Sequence, residues 1–309
     1  MILCISTNPA IDRTLVIPNF TVGKVQRAVD EWVTVGGKGL NAARAARSLG
    51  REALCMGFLA GHAGRLMTDL LENEGLQAAF TWLAQGETRT CTIVLDGAGG
   101  EPTVLNTVGP QVNAAEWEWL AGDILHYALN GTAVLFCGSL PPGAPLAEYT
   151  RLFSRLRNAR CSAWVDSSRA PLAAALDAQP FAVKVNAREI GEALGMTIEN
   201  CDQALQAARA VHARGIEIAC ITVGEHGAAL VSSQGAWQAC APQVNAVNSV
   251  GSGDAFLSGL VAAVLDDLPH GEALRCGVAA GSANTLSSIA GQFAREDYLR
   301  LLGEIQVEA

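Results

Sequence analysis

Four short and almost uninterrupted apolar runs in the second half of the chain set the tightest limit on its fold. They are Thr132-Ala-Val-Leu-Phe-Cys-Gly138, Cys161-Ser-Ala-Trp-Val-Asp166, Phe181-Ala-Val-Lys-Val185 and Ile218-Ala-Cys-Ile-Thr-Val223. None shows the polar alternation of a strand with one wet face, so each reads as a strand covered on both faces. Helical patterns of Ala, Leu and charged residues separate them, at Leu146 to Leu156, Glu189 to Leu194 and Asp202 to Ala213. Apolar strands alternating with helices are the mark of a parallel sheet sandwiched between helices. Met1-Ile-Leu-Cys-Ile-Ser-Thr7 reads as a first buried strand rather than an export leader, because its apolar stretch is short and no basic segment precedes it.

The first third follows another rhythm. Arg13 to Ile17, Val29 to Val35, Arg89 to Leu95 and Thr103 to Thr107 read as extended segments between turns. Thr90, Thr92 and Val94 alternate with Cys91, Ile93 and Leu95, as a strand with two distinguishable faces requires. These segments predict a small sheet beside the main one. Ala228 to Val231 and Ala236 to Ala239, joined by Ser-Ser-Gln-Gly, predict a hairpin. The 309 residues are read as one domain spanning 1–309, with the small sheet as a lid built from segments within about 12–35 and 88–108.

Composition excludes several classes. Thirty acidic residues against 21 Lys plus Arg give a net charge of −9 and no basic stripe, which argues against nucleic acid as a partner. Although half of the residues are hydrophobic, no apolar run approaches the ~18 residues of a bilayer span, so no membrane association is expected. The nine cysteines are odd in number and lack CxxC spacing, which fits a reducing cytoplasm better than a disulfide framework or a zinc site. The five histidines share no metal-binding spacing. Trp117 and Trp119 lie two apart on a predicted helix, so at most one can be well buried.

Two glycine-rich turns carry the chemistry. In Val247-Asn-Ser-Val-Gly-Ser-Gly-Asp254 a turn of small residues runs straight into an apolar helix. Backbone N–H groups there can approach an anion, and the helix N-terminus adds unpaired donors with a positive dipole end, so Gly251, Ser252 and Gly253 can hold a transferring phosphoryl group. Asp254 stands within reach as a base, although an Asp at a helix start can also merely cap it. The turn is neither a Walker A loop nor a dinucleotide fingerprint, since Phe256 occupies the place of the third glycine. The second turn, Gly36-Gly-Lys-Gly-Leu-Asn41, precedes an Ala-rich helix. Its glycines allow close approach to a ligand, and Lys38 and Asn41 offer donors to hydroxyls or a phosphate. Arg44 and Arg47, farther along that helix, are expected to be solvated. Asp166, at the carboxyl end of an apolar strand, is a weaker candidate that can equally cap a turn. Lys184 can touch a nucleotide phosphate or serve as a partly buried structural lysine.

Asn8-Pro-Ala-Ile-Asp12, Gly36-Gly-Lys-Gly-Leu-Asn41, Gly86-Glu-Thr-Arg89, Gly138-Ser-Leu-Pro141, Lys184-Val-Asn-Ala-Arg-Glu189 and Val250-Gly-Ser-Gly-Asp254 occur in one order along nearly the whole chain. In this the chain resembles the phosphofructokinase B-type carbohydrate kinases of the ribokinase-like superfamily, most closely the branch of 1-phosphofructokinase and tagatose-6-phosphate kinase. The resemblance implies a three-layer α/β/α fold with a mostly parallel central sheet and a β-sheet lid. It implies ATP and Mg²⁺ as cofactors and a sugar phosphate as substrate, while a homodimer formed through the lid is expected because a small sheet of four short strands has little core and exposes its edges. D-Fructose 1-phosphate is the expected acceptor, with tagatose 6-phosphate as the alternative, and a sugar-phosphate-binding regulator without catalysis as the alternative of another class.

Carried over by position, the resemblance makes Asp254 the catalytic base and Gly251, Ser252 and Gly253 the anion hole. Asp12, Gly37, Lys38 and Asn41 would line the sugar site, with Arg89 on the substrate's own phosphate and Ser139 close to the sugar. Asn186 and Glu189 match an Asn-x-x-Glu element associated with Mg²⁺ and its water, while Thr222, Gly224 and Gly227 match a nucleotide-binding segment. The helix from about Gly271 to Ser288 would lie beside the adenine. Val185 stands where the family usually has proline, which leaves the placement of Asn186 open.

Overall fold

The computed structural model describes residues 1–96 and 103–309. The chain opens with β1 (Ile2–Ser6), β2 (Ala10–Val16), β3 (Asp30–Gly36) and α1 (Lys38–Ser48). It continues through β4 (Ala53–Leu59), α2 (Gly61–Asn73), β5 (Gln77–Trp82), β6 (Arg89–Leu95), β7 (Thr103–Asn106) and α3 (Ala114–Tyr127). The four apolar runs become β8 (Ala133–Cys137), β9 (Ser162–Asp166), β10 (Ala182–Asn186) and β11 (Ile218–Thr222). Between them lie α4 (Leu146–Asn158), α5 (Arg169–Ala178), α6 (Ala187–Leu194) and α7 (Cys201–His212). The expected hairpin is β12 (Ala228–Ser232) and β13 (Gly235–Ala239), followed by α8 (Ser252–Leu265), α9 (His270–Thr285), α10 (Arg295–Glu304) and β14 (Val307–Glu308).

The main sheet has the order β14-β13-β12-β11-β10-β9-β8-β1-β4-β5. The seven strands from β5 to β11 pair in parallel, and the hairpin with β14 adds an antiparallel edge. The four segments expected for the small sheet all go there, while β4 and β5, which were not among them, join the main one. The run Ala53-Leu-Cys-Met-Gly-Phe-Leu59 is as apolar as the later strands and is buried for the same reason. In β1, Leu3 and Ile5 point into the layer of α3 to α7, while Ile2 and Cys4 point into the layer of α1, α2, α8 and α9. Each side chain so buried contributes about 1.5–3 kcal/mol, which fixes the register of the sheet. Trp117 is 1% exposed and Trp119 59%, as their spacing on α3 predicts.

β3, β2, β6 and β7 form the separate four-stranded sheet, with β2 and β6 parallel at its centre. Residues 97–102 of the expected lid segment lie outside the described residues. On β6 the buried positions are Cys91 and Val94, one from each alternating set, so both faces of that strand are partly covered. β7 is exposed along its whole length.

From β1 the chain makes β2 and β3 of the small sheet, adds β4 and β5 on one side of β1, returns to the small sheet for β6 and β7, and then crosses to β8 on the other side of β1. The strand order therefore reverses at β1, and a crevice opens beyond the carboxyl ends of β1 and its neighbours. Asp166, Asn186 and Thr222 each end a parallel strand on that side, and Ser139 follows β8 there. All nine cysteines are free thiols, and among the described residues no helix is long and apolar enough to cross a membrane.

Candidate active site

Gly251 is the N-cap residue of α8, with φ +81° and no side chain to cap the helix. A Cβ there would also press on the backbone of Ala290 and Gly291. The first-turn N–H groups therefore face outward, with only the Ser252 amide leaning 3.3 Å from the Ser249 carbonyl. Asp254 is the third residue of the helix, not its cap, so the capping role considered for it is ruled out. Its side chain turns inward, 6% exposed, where the Asn41 Nδ2 donates to Oδ2 at 2.8 Å. Burial pushes the carboxyl up to about 7, and the charge of Asp166 adds to this against the pull of Lys38, Lys184 and Asn41. A buried carboxylate poised near neutral pH can accept a proton from a hydroxyl.

Asp166 is fully buried and does not cap the next helix, whose N-cap is Ser168. Its two oxygens take one ammonium each, Lys38 Nζ on Oδ1 and Lys184 Nζ on Oδ2, both at 2.6 Å. Burial opposes its charge, but Lys184 and Lys38 hold the carboxyl below its ordinary value. Lys184, at 3% exposure, lies so close to Gly253 that a side chain there would meet its ammonium. Of the two readings left open for Lys184, the geometry thus sets its charge beside the head of α8. Lys38 Nζ also bonds Glu189 Oε1 at 2.9 Å. Burial works against the Lys38 charge, yet Asp166, Glu189 and Asp254 outweigh it and hold the ammonium above its ordinary range. The donors of Lys38 and Asn41, expected to reach for hydroxyls or phosphate, are therefore engaged with carboxylates of the chain itself.

Asn186 and Glu189 form a reciprocal capping box on α6, with Glu189 N to Asn186 Oδ1 at 2.9 Å and Asn186 N to Glu189 Oε2 at 3.1 Å. Val185 is buried in mid-sheet opposite Ile221, and Asn186 after it still caps α6. Beyond Gly253 opens a cavity of about 420 Å³ lined by Thr222, Gly224, Gly227, Ser252 and Gly253 together with Val278, Gly281, Ser282 and Thr285 of α9. It meets the N-terminal end of α8, but Asp12, Gly37, Lys38, Asn41, Arg89 and Ser139 do not line it.

Of these, Asn41 is the one in contact with Asp254. Gly37 is the N-cap residue of α1 with φ +129°. Asp12 lies directly over Gly36, where any side chain would collide with its carboxylate. Burial raises the Asp12 carboxyl, while Arg89 and Arg44 pull it down. Arg89 Nε donates to the Asn8 carbonyl at 3.0 Å, and Asn8 Nδ2 reaches Ser139 Oγ at 3.4 Å and the Val108 carbonyl at 3.3 Å. Asn8 thus ties together the strand ends that enter and leave the small sheet, a role its motif alone did not disclose.

One expectation fails outright: Arg44 is not solvated but 2% exposed, held by Glu74, Asn41 and two carbonyls. A guanidinium is buried when enough acceptors surround it, and here they come from four separate segments. Arg47 remains on the surface.

The model of the pfkB family of carbohydrate kinases matches residues 3–296. The 1-phosphofructokinase of Haloferax volcanii is 38% identical over 286 residues, covering 91% of this chain and 90% of that protein. The 1-phosphofructokinase of Escherichia coli K12 is 30% identical over 304 residues, covering 98% and 97%. Among solved structures, Escherichia coli phosphofructokinase-2 in complex with fructose-6-phosphate superposes with a TM-score of 0.89 at 27% identity, covering 98% of each chain. Paired with the mostly parallel fold described above, these likenesses establish that the chain belongs to the pfkB family of carbohydrate kinases, enzymes that transfer phosphate to a sugar hydroxyl.

Proposed function

We propose that this kinase transfers the γ-phosphoryl group of ATP to the 6-hydroxyl of D-fructose 1-phosphate, giving ADP and fructose 1,6-bisphosphate. The observation that carries the reading is Asp254: a buried carboxyl pushed up to about 7, inside the first turn of an uncapped helix whose next residues line a cavity of nucleotide size. Two relatives named 1-phosphofructokinase, matched along most of both chains, support the choice of acceptor. A coupled ADP-release assay with this sugar phosphate tests it. A protein that binds the sugar phosphate but releases no ADP would instead be a regulator.

In this reading Asp254 accepts the hydroxyl proton as the oxygen attacks the γ-phosphorus. Phosphoryl transfer asks the protein chiefly for positioning and for stabilisation of spread negative charge. The amides of Gly251, Ser252 and Gly253 and the Lys184 ammonium supply it at one end of the reacting group. ATP occupies the cavity of Thr222, Gly224 and Gly227, and Asp12, Gly37, Asn41 and Ser139 surround the sugar. Arg89, through its fork of donors, meets the 1-phosphate. Tagatose 6-phosphate is the second reading, favoured by the likeness to a phosphofructokinase solved with a 6-phosphorylated ketohexose.

A protein-held metal centre does not fit. Both Glu189 oxygens are engaged, and among the described residues no group of three His, Cys, Asp or Glu side chains could hold an ion. Mg²⁺ is therefore assigned to the nucleotide substrate, and Asn186 and Glu189 would act on it only through its water.

The whole chain works as one kinase domain, with the small sheet as a lid whose closure excludes water as a competing acceptor. Trp32, Val104 and Leu105 are exposed on that sheet, and a four-stranded sheet with open edges gains by pairing with a second copy. We assign the dimer to this surface and the enzyme to the cytoplasm, where its nine thiols stay reduced.

A further inference from the structure

Arg44 occupies a position that the sugar and nucleotide sites do not explain. It lies on α1 one turn beyond Asn41, wholly buried, with Nε and Nη2 clamped by the Glu74 carboxylate at 2.6 and 3.0 Å. Nη2 also donates to the Val35 carbonyl at 2.7 Å, and Nη1 lies 3.4 Å from that of Ala290. Nη1 makes one further bond, to Asn41 Oδ1 at 2.8 Å. The amide nitrogen of the same Asn41 is the group that touches Asp254.

An asparagine amide is nearly symmetrical in shape, so packing alone hardly decides which end faces which neighbour. A guanidinium has donors and no acceptor, and it therefore compels the amide oxygen to face it. The NH₂ group is then turned toward Asp254. That group can only donate, and a donor favours the ionised carboxylate. With the amide reversed, an oxygen would face the carboxyl and favour its protonated form.

We propose that Arg44 is a positioning residue that locks the Asn41 amide and thereby keeps Asp254 in the proton-accepting state. The inference rests on the reading of Asp254 as the base and adds a control over its proton. The other groups whose charge reaches Asp254 are Lys38 on α1, Asp166 on β9, Lys184 on β10, Cys4 on β1 and Cys137 on β8. None of these bonds Arg44, whose partners are Glu74, Asn41 and the Val35 and Ala290 carbonyls, so the Asn41 amide is the direct link between Arg44 and Asp254.

The test follows Asp254 directly, by carboxyl ¹³C NMR of Asp-labelled protein titrated with acid, its signal assigned by its loss in Asp254→Asn. The pH dependence of kcat with MgATP and fructose 1-phosphate is measured on the same samples. In Arg44→Met both the carboxyl titration and the acidic limb of kcat should rise by roughly one pH unit, the usual size of a lost hydrogen bond to a carboxylate. Arg44→Lys, which restores a donor, should recover most of it. In an Asn41→Leu background Arg44→Met should add no further shift. Where Arg44→Met fails to fold, Glu74→Gln loosens the same guanidinium and should shift both curves the same way by less. An unchanged carboxyl titration in a folded variant, or an equal shift in the Asn41→Leu background, overturns the proposal. A carboxyl that shifts while the kcat profile stays put upholds Arg44 as its controller and refutes Asp254 as the base.

Discussion

Replacing Asp254 by asparagine is expected to make the protein more stable and nearly inactive. In the folded chain this carboxyl is pushed from its ordinary 3.8 up to about 7, first by burial and then by Asp166. Each pH unit between folded and unfolded values is worth about 1.4 kcal/mol, so keeping the group ionised costs at most about 4 kcal/mol. The folded protein holds this proton more tightly than the unfolded chain. The cost is therefore absent below pH 3.8, grows as pH rises toward 7 and is constant above. Asparagine escapes it at every pH, but its own NH₂ needs an acceptor in the same buried space, which takes back about 1–3 kcal/mol. The net gain should be about 1–3 kcal/mol at pH 8, and it should shrink steadily as pH falls, as scanning calorimetry at pH 4.5, 6 and 8 would read. If Asp254 is the base, kcat should fall at least about 10²-fold in the same variant. A lower Tm at pH 8 would mean that the carboxylate chiefly stabilises the positive end of α8, and a kcat within about 10-fold of wild type would remove the base.

Arg89→Ala should raise the KM for fructose 1-phosphate about 10-fold or more and leave the KM for ATP nearly unchanged, as loss of a charge-assisted contact of roughly 1.5–3 kcal/mol implies. Equal loss toward fructose and fructose 1-phosphate would show that Arg89, through its bond to the Asn8 carbonyl, shapes the lid and not a phosphate site. Sedimentation at micromolar concentration should find two copies, and changing Leu105 to Asp on the exposed β7 should shift them toward monomers; a fully active monomer in the unchanged protein would contradict the lid dimer.

The parts of the fold legible in the sequence were those where one local pattern suffices. β8 to β11 are buried on both faces, and their composition says so without knowledge of their neighbours. The turn before α8 announced itself because small residues followed by an apolar helix have few other uses. β4 is just as apolar, but it lies in sequence between segments of the small sheet, and that setting masks its pattern. The chemistry of the site was less legible wherever it depends on residues that meet only in space. Asp166 gains meaning from Lys38, 128 residues before it, and Lys184, 18 residues after it. Arg44 has the spacing of a surface arginine, and only Glu74, Val35, Asn41 and Ala290, drawn together by the fold, reveal it as buried. The one sequence signal was its place a single helical turn beyond Asn41, where residues i and i+3 share a face.

The most direct test of the proposed reaction compares kcat/KM for fructose 1-phosphate, fructose 6-phosphate, tagatose 6-phosphate and fructose with MgATP, and locates the new phosphate by ³¹P NMR. Fructose 1-phosphate should be used best and should acquire its second phosphate at the 6-position, with one ADP formed for each. A preference for fructose or for a 6-phosphorylated sugar, or a new phosphate anywhere but the 6-position, would contradict it.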